Sequence, residues 1–182
     1  MEAADAASFR TAATMVTSAT PLTLFKTWSI SLLQQTYSTI QAYEIAQGIL
    51  PQLDVRQIPL ATDIASRFEG TRLVTAEDYR HALEVRRSFA AWMMEHCPPD
   101  TALGLPAVSH GALELDVEDK VLRQFYGKTL GLNAVAGLWG GPQIQFSRSP
   151  SGGLGLSLLA APGADHALLD LAISFRDGGP GA

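Results

Sequence analysis

The chain has 182 residues, with 13 Lys and Arg against 18 Asp and Glu, so its formal net charge is −5. Apolar residues make up 47% and charged residues 17%, which provides for a core, leaves a lightly charged surface, and excludes a disordered, collagen-like or coiled-coil chain. The net negative charge and the lack of a long basic run leave no positively charged segment to bind nucleic acid or anionic lipid. We therefore expect neither as a partner.

Cysteine content and hydropathy favour a soluble, cytoplasmic protein. The single cysteine, Cys97, excludes an internal disulfide framework and a cysteine-based zinc cluster. The apolar stretch 21–33 contains Lys26 and is shorter than the roughly 20 residues that a membrane-spanning helix needs. Residues 1–20 lack the basic and strongly apolar regions of a secretory signal. We therefore expect no membrane segment and a cytoplasmic location.

The N-terminal part of the chain predicts a lead-in followed by a helix. Residues 1–27 show no clear period and are expected to be weakly ordered. From residue 28 to residue 48, apolar side chains recur at steps of three and four, which places them on one face of a helix. Gly48 and Pro51 are expected to end this helix.

Two further helices are predicted before the first strand. A short one over residues 61–69 is expected to turn Ile64 and Phe68 toward the core. A longer one begins after Thr75, a favourable N-cap residue followed by acidic residues in the first turn, and runs to His96. Two consecutive prolines then stop it.

The C-terminal half predicts strands between helices. Residues 101–106 indicate a buried strand, residues 107–111 a loop, and residues 119–137 a helix with an apolar stripe. We expect a tight irregular turn over residues 138–143 because glycine and proline dominate it.

Two strands and a helix complete the predicted pattern. The strands include Ile144 and Phe146 on one side and residues 154–159 on the other, joined by hairpin-like turn residues at 149–153. The last helix covers residues 164–175, and residues 177–182 are expected to form a flexible tail. The order of elements predicts a mixed α/β fold.

Motifs that carry chemistry are missing from the sequence. It has no phosphate-binding loop, no Gly-x-Ser-x-Gly motif and no His-Glu-x-x-His motif. The histidines, His81, His96, His110 and His166, are scattered without ligand spacing, so we expect no metal site. His96 and Cys97 are adjacent in a helix, where their side chains point about 100° apart, so we do not expect a nucleophile and base pair.

Trp139 and Asp165 each allow two interpretations. A tryptophan in a glycine-rich and proline-rich turn either caps the core or lines a pocket. Asp165 stands at the start of the last helix, where a capping role is favoured over a role as an acid catalyst.

Several short segments match, in order, a pattern known from one enzyme family. They are residues 41–45, 65–70, 86–87, 105–106, 136–143, 155–160, 163–165 and 168–169. The segment 136–143, Ala-Gly-Leu-Trp-Gly-Gly-Pro-Gln, looks like an Ala-Gly-Leu-Ser-Gly-Leu-Pro-Gln loop, and Gly-Ala-Asp at 163–165 is similar to a Gly-Ser-Asp turn. This set resembles the C-terminal half of the amidase signature family, serine amidases related to indole-acetamide hydrolases. The resemblance implies the C-terminal part of that fold, with a mixed sheet flanked by helices over residues 28–176.

The resemblance implies a serine hydrolase whose nucleophile is activated through a second, cis-peptide serine and a lysine, with backbone N–H groups holding the oxyanion. In the family these groups lie in the N-terminal half. This chain has no Gly-Gly-Ser-Ser-Gly-Gly run, and Lys26, Lys120 and Lys128 do not match the family's lysine in context. No catalytic residue is therefore assigned here.

The resemblance also implies where a substrate would lie. Ala107 stands where the family usually has threonine, and Trp139 replaces a small serine, in loops that border the acyl pocket of such enzymes. We expect Trp139, Gly141, Gln143 and Ala107 to bind substrate, with no cofactor and no metal.

These observations predict that the chain is the C-terminal portion of an amidase, which hydrolyses a carboxamide to a carboxylate and ammonia or an amine. We expect this portion to supply scaffold and pocket walls and to be inactive alone. Its expected partners are a small-molecule amide once a catalytic half is supplied, and either a second copy or an N-terminal amidase half. An alternative is a non-catalytic partner that completes another chain's sheet. A third is an unrelated enzyme that uses His110 or His166.

Overall fold

A computed structural model describes residues 20–146 and 155–176, which form helices early in the chain and strands late. The elements are α1 (Leu24–Thr27), α2 (Ile30–Gly48), α3 (Leu50–Arg56), α4 (Thr62–Thr71), α5 (Ala76–His96), β1 (Ala102–Pro106), α6 (Asp119–Trp139), β2 (Gln143–Phe146), β3 (Leu156–Ala160) and α7 (Asp165–Arg176). The mixed α/β class predicted from the sequence is confirmed. The expected hairpin turn at 149–153 and the tail at 177–182 lie outside the described residues, as do residues 1–19 of the lead-in.

The three described strands form one sheet in the order β1-β3-β2. Both strand pairs are antiparallel, so the mixed sheet expected from the sequence is not found in this part of the chain. The connection from β2 to β3 is short, and a short connection brings strands together antiparallel, whereas a parallel pair needs a long crossover. In this register Ser157 pairs with Leu105 on one side and with Gln145 on the other.

The two faces of the sheet carry different side chains, because successive residues of a strand point to opposite faces. One face is apolar. Leu156, Leu158 and Ala160 form a buried cluster with Leu168 of α7, and Phe146 packs against it. The opposite face includes Ser157 and Leu159, both fully buried.

The described residues divide into two compact units. The sheet unit contains the chain up to Gln34 and from Phe89 onward, and the helical unit is Gln35–Ser88. Helices α2 and α5 contribute residues to both units. The largest fully buried side chains belong to the sheet unit: Leu24, Leu33, Phe89, Met93, Val135, Leu138, Ser157 and Leu159. Trp28 contacts Phe89 edge to face there, with ring centroids 5.3 Å apart.

Helix α2 ends at Gly48 as predicted, but Pro51 lies in the first turn of α3, a helix that the sequence did not indicate. Proline is tolerated there because the first N–H groups of a helix have no intrahelical partner. Ile64 was expected in the core, yet its side chain is 37% exposed, while Phe68 is half-buried.

The end of α6 also differs from the prediction. Leu138 and Trp139 were expected in a turn, but the helix continues through both residues. Gly140 ends it, with φ of 85° in the left-handed region and its N–H donating to the Ala136 carbonyl at 2.7 Å. Only glycine adopts this conformation without strain, so Gly140, rather than Gly137, is the helix stop.

Close packing of α6 against the start of α2 requires glycine at position 131. A Cβ at Gly131 would lie 2.5 Å from Ile30 Cγ2 and 2.7 Å from the Ile30 carbonyl oxygen. Gly127, one turn earlier in the same helix, has no atom within 4 Å of such a Cβ. The two glycines therefore differ in packing while sharing helical backbone.

This contrast predicts opposite effects of one substitution. Gly131→Ala should lower the free energy of unfolding by about 1–3 kcal/mol, because a backbone oxygen cannot move aside. Gly127→Ala should leave it unchanged or raise it by up to about 1 kcal/mol, because alanine is the better helix former. Urea unfolding of both variants measures the difference. Equal effects of the two substitutions would contradict the packing of Ile30 on α6.

The N-terminus of α5 is capped reciprocally. The Asp78 N–H donates to Thr75 Oγ1 at 3.1 Å, while the Thr75 N–H and hydroxyl donate to Asp78 Oδ2 at 3.0 and 2.6 Å. These hydrogen bonds from Thr75 lower the pKa of Asp78 below its ordinary value. The sequence prediction of Thr75 as the N-cap is confirmed by this geometry.

Removing the Thr75 hydroxyl should lower the free energy of unfolding and deprive the Asp78 carboxylate of one of its hydrogen bonds. We expect Thr75→Ala to cost about 1 kcal/mol and to return the pKa of Asp78 toward its ordinary value, as NMR titration would detect. Because the folded pKa is depressed, the contribution of Asp78 is complete above its ordinary pKa and disappears as pH falls through the folded pKa. Ser66→Ala, at an exposed helical position in α4, is the control, expected within about 0.5 kcal/mol of wild type. An unchanged Asp78 titration in Thr75→Ala would refute the capping interaction.

Candidate functional site

The loop between α6 and β2 is held against the end of β3. A side chain at Gly141 would overlap the Ala160 carbonyl oxygen, and the Ala160 N–H donates to the Pro142 carbonyl at 3.2 Å. The Gly141 N–H itself donates to the Ala136 carbonyl at 3.2 Å. The loop is therefore fixed by backbone contacts on both sides, and β2 begins directly after it at Gln143.

Trp139 lies at the end of α6 with its side chain buried. It is 4% exposed, and its Nε1 has no hydrogen-bond partner within the described ranges. Of the two interpretations that the sequence left open, this burial favours the core over a pocket wall. A role of Trp139 in binding substrate stays a prediction.

Gln143 lies on the same face of the sheet as Ser157. Its Nε2 donates to Asn133 Oδ1 at 2.9 Å and to Ser157 Oγ. Gln145, two residues along the same strand, donates to the same Asn133 Oδ1 at 2.8 Å. Because the side-chain period of a strand is two, both glutamines share one face. We call Asn133, Gln143, Gln145 and Ser157 the amide cluster.

Asn133 uses all of its hydrogen-bonding capacity in this cluster. Its Nδ2 donates to the carbonyl oxygens of Ala107 at 3.2 Å and of Thr129 at 2.9 Å, while its Oδ1 accepts from the two glutamines. Two carbonyl acceptors on one side and two N–H donors on the other determine which end of the carboxamide is nitrogen. Asn133 thus connects α6, the end of β1 and β2.

The structure brings some of the predicted substrate-binding residues together and separates their roles. Gln143 and Ala107 meet through Asn133, but Ala107 contributes its carbonyl, since the residue is 8% exposed and its N–H donates to the Gly155 carbonyl. Gly141 lies in the loop that leads into β2. That these residues bind substrate stays a prediction.

Sequence reasoning missed the other members of the amide cluster. Asn133 is a polar residue next to Leu132 on the buried stripe of α6, and Ser157 interrupts an apolar strand. Gln145 follows Gln143 at the strand period of two. A polar residue inside an apolar period is the signal that could have pointed to them, because buried polar groups need hydrogen-bond partners.

A second hydroxyl pair joins the loop after β1 to α6. The Ser109 N–H donates to Thr129 Oγ1 at 3.1 Å, the two hydroxyls lie 3.0 Å apart, and Ser109 Oγ donates to the Phe125 carbonyl at 3.2 Å. Ser109 therefore delivers its proton to a backbone oxygen, which is no base. This hydroxyl holds the loop and is not arranged as a nucleophile.

The sequence predicts that His96 and Cys97 do not form a reactive pair, and their positions agree with this prediction. The His96 ring stacks on Trp92 with centroids 4.0 Å apart, and its Nδ1 lies 2.9 Å from the Trp92 carbonyl. Cys97 is buried, and this burial raises the pKa of its thiol. A raised pKa lowers the thiolate fraction, which is the reactive form.

The helical unit contains a separate cavity of about 270 Å³. Apolar side chains that include Leu50 and Phe68 line it, and Asp54, Glu69 and Arg72 lie at it as well. Arg72 Nη2 lies 2.9 Å from Asp54 Oδ2, and this hydrogen bond to Asp54 raises the pKa of the guanidinium. The pair is solvent-exposed, so its contribution to stability is small.

Over residues 20–146 and 155–176, no group of three or more His, Cys, Asp and Glu side chains could hold a metal ion. None of the helices in this part of the chain combines the length and the apolar content needed to cross a membrane. Comparison with known protein families finds no family model that matches the chain, and comparison with curated proteins finds no match.

The double role of Asn133 predicts the result of an isosteric change. In Asn133→Asp an acceptor oxygen replaces Nδ2 and faces the carbonyl oxygens of Ala107 and Thr129, so the free energy of unfolding should fall by about 2–3 kcal/mol at neutral pH. Protonation restores a donor, which raises the folded pKa of the introduced carboxyl. Below the ordinary pKa of a carboxyl group the introduced Asp is protonated and the variant keeps most of its stability. The loss of stability should grow as pH rises from that ordinary pKa through the raised folded pKa.

Urea unfolding from acid to neutral pH measures this effect, with Gln52→Glu as the matched control. Gln52 is exposed, and its side-chain amide donates to the Gly48 carbonyl one turn away, so we expect a change of less than about 0.5 kcal/mol. A destabilisation by Asn133→Asp that does not vary with pH would show that Nδ2 is not held between two carbonyls.

Proposed function

We propose that this chain supplies the pocket walls and part of the sheet of an amidase, which hydrolyses a carboxamide to a carboxylate and ammonia or an amine. The family resemblance implies a catalytic serine, a cis-peptide serine and a lysine. We propose that this chain lacks all three groups and is therefore inactive alone. The observation that carries it is the ordered set of amidase-like segments, several of which pack together in the sheet unit.

Contacts between two of these segments support the proposal. Gly141 belongs to the segment 136–143 and Ala160 to the segment 155–160, and the close approach of their backbones leaves no room for a side chain at Gly141. The Ala160 N–H also donates to the Pro142 carbonyl. Two stretches that resemble the same family are thus in direct contact, as parts of one pocket wall would be.

The hydroxyl groups beside the loop support the expectation of inactivity. Ser109 donates to the Phe125 carbonyl, and Ser157 accepts from Gln143. Neither hydroxyl forms a hydrogen bond with a lysine or histidine in the described parts of the chain. A serine nucleophile needs such a base, and in this proposal both the nucleophile and its base come from a second chain.

The edges of the sheet favour pairing with another chain. Within the described residues β1 and β2 each pair only with β3, so both are edge strands. β1 has the sequence Ala-Leu-Gly-Leu-Pro and carries no charge to discourage pairing along its outer edge. This observation also favours the alternative function, a non-catalytic partner that completes the sheet of another protein.

Complementation tests the proposal. The purified chain is mixed with the separately produced N-terminal half of an amidase signature enzyme, and ammonia release from benzamide is measured. We expect no release from either part alone and turnover from the mixture, lost when the serine nucleophile of the N-terminal half is changed to alanine. The Gly141→Val variant, whose side chain would overlap Ala160, should restore less activity than the matched variant Gly48→Val, where a Cβ meets no atom.

The outcomes separate the two functions. Turnover by this chain alone would contradict the predicted inactivity. Association with the N-terminal half, measured by size-exclusion chromatography, without any turnover would favour the non-catalytic partner. A chain that neither associates with the N-terminal half nor forms a dimer would contradict both.

A further inference from the structure

The cavity of the helical unit, called here the helical cavity, is formed by α3, α4 and the chain that joins them. Its apolar lining consists of Leu50, Leu53, Ile58, Leu60, Ala65 and Phe68. Leu50 is 3% exposed and Ile58 is 44% exposed, so the apolar wall extends from the interior of the unit to solvent. The volume is about 270 Å³. Because a cavity of about 150 Å³ already admits benzene, this volume is sufficient for a phenyl ring with a short chain.

A left-handed turn at the end of α3 shapes the wall of the helical cavity. Gln57 has φ of 49°, its N–H donates to the Asp54 carbonyl at 3.4 Å, and the Ile58 N–H donates to the Leu53 carbonyl at 3.3 Å. These two hydrogen bonds form a Schellman motif, which folds the chain back against the last turn of its helix. Glycine is usual at the left-handed position, so a glutamine there is held by its surroundings. The motif returns Ile58 to Leu53, and both residues line the cavity.

Two carboxylates and one guanidinium form the charged edge of the helical cavity. Arg72 Nη2 lies 2.9 Å from Asp54 Oδ2, and Arg72 Nε lies 3.3 Å from Glu69 Oε2. Two negative groups against one positive group leave a surplus of one negative charge among the charged residues that line the cavity. An anionic ligand would meet both carboxylates and a guanidinium that is already paired, whereas a cationic ligand would be attracted.

The chemistry of the wall and of the edge together indicates an amphipathic cation. A phenyl ring can pack on the aromatic face of Phe68 and cover apolar surface that is now exposed to water. A carboxylate accepts several hydrogen bonds, so Asp54 and Glu69 retain acceptor capacity beside Arg72. An ammonium group has three N–H donors and no acceptor, and it therefore suits this edge.

We propose that the helical cavity binds an arylalkylamine, with the ring among the apolar side chains and the ammonium group at the carboxylates of Asp54 and Glu69. An apolar pocket with a few polar groups that fix orientation is the usual form of a small-molecule site. The helical cavity shares no residue with the amide cluster. The inference therefore holds or fails independently of the proposed amidase function.

Titration with 2-phenylethylamine tests the site on the full chain. The ¹⁵N-labelled protein is titrated at neutral pH, where this amine is protonated as lysine is, and backbone amide signals are followed by NMR. The comparison ligands are the neutral 2-phenylethanol and the anionic 3-phenylpropionate. We expect saturable shifts within residues 50–72, an affinity about two- to fivefold higher for the amine than for the alcohol, and the lowest affinity for the carboxylate. High salt should reduce the preference for the amine, because the edge is exposed.

A matched pair of variants isolates the charged edge. Glu69→Gln removes the surplus negative charge, so the amine should lose its advantage over the alcohol, whose own affinity should stay unchanged. Glu84 is also paired with an arginine three residues along its helix, with Arg87 Nη2 at 3.9 Å from Oε1, but it lies outside the lining of the cavity. Glu84→Gln should therefore leave the preference for the amine as it is in the wild-type chain.

A second pair of variants isolates the apolar wall. Ala65 is half-buried in the lining, and Ala65→Leu should fill part of the cavity and abolish the saturable shifts of the amine and of the alcohol. Ala91→Leu, at an exposed position of α5, should leave binding unchanged. Circular dichroism checks that both variants are folded, and the Glu69→Gln comparison remains decisive should Ala65→Leu unfold.

The outcomes that would overturn the site are distinct. Absence of saturable shifts with 2-phenylethylamine, or shifts centred outside residues 50–72, would show that the helical cavity does not bind this class of ligand. Equal affinity for the three ligands, or a preference for the amine that survives Glu69→Gln, would show that the carboxylate edge does not select a cation.

Discussion

The carboxamide of Asn133 is the constraint on which the arrangement of the sheet unit depends. Its four hydrogen bonds reach Ala107 after β1, Thr129 within α6, and two glutamines of β2. A half-buried amide that bonds on every side is costly to rearrange, because any rotation leaves several polar groups unpaired at once. One side chain thus sets the position of α6 relative to two strands that do not contact each other in the described sheet.

The alternation of β2 and β3 divides the sheet between two kinds of packing. Leu156 and Leu158 point to α7 and exclude water, whereas Ser157 between them points to the amide cluster. Ser157 is fully buried, so a residue of another kind at this position would either lose its partner or leave Gln143 without one. Both faces of β3 are therefore buried, one within the apolar cluster and the other around the hydrogen bond between Gln143 and Ser157.

Much of the fold could be predicted from the sequence, and the exceptions have physical causes. Helices with an apolar period, such as α2 and α5, agree with the prediction because local pattern and tertiary burial coincide there. The strand β1 forms where it was predicted, but the expectation that it is buried is wrong, since Ala102 and Gly104 are exposed and only Leu105 is buried. Helix α3 has no such period and follows α2 directly, so nothing local indicated it. The amide cluster depends on residues far apart in the chain, whose encounter is decided by packing. The family resemblance pointed to Gln143 and Ala107, but Asn133, the residue that connects them, carries no motif.

The position of Trp139 follows from the balance between two free energies, the gain from burying its indole ring and the cost of its unpaired Nε1. Burying an indole removes about 150–250 Å² from water, which at about 25 cal/mol per Å² is worth about 4–6 kcal/mol. Among the residues that the structure describes, its buried Nε1 has no acceptor, which costs about 1–3 kcal/mol, so burial prevails and Trp139 stays in the core. With Trp139 in the core and Gly140 ending α6, the loop that follows is fixed against β3 by Gly141 and Pro142. The first residue of β2, Gln143, therefore reaches Asn133 and Ser157 with its side-chain amide.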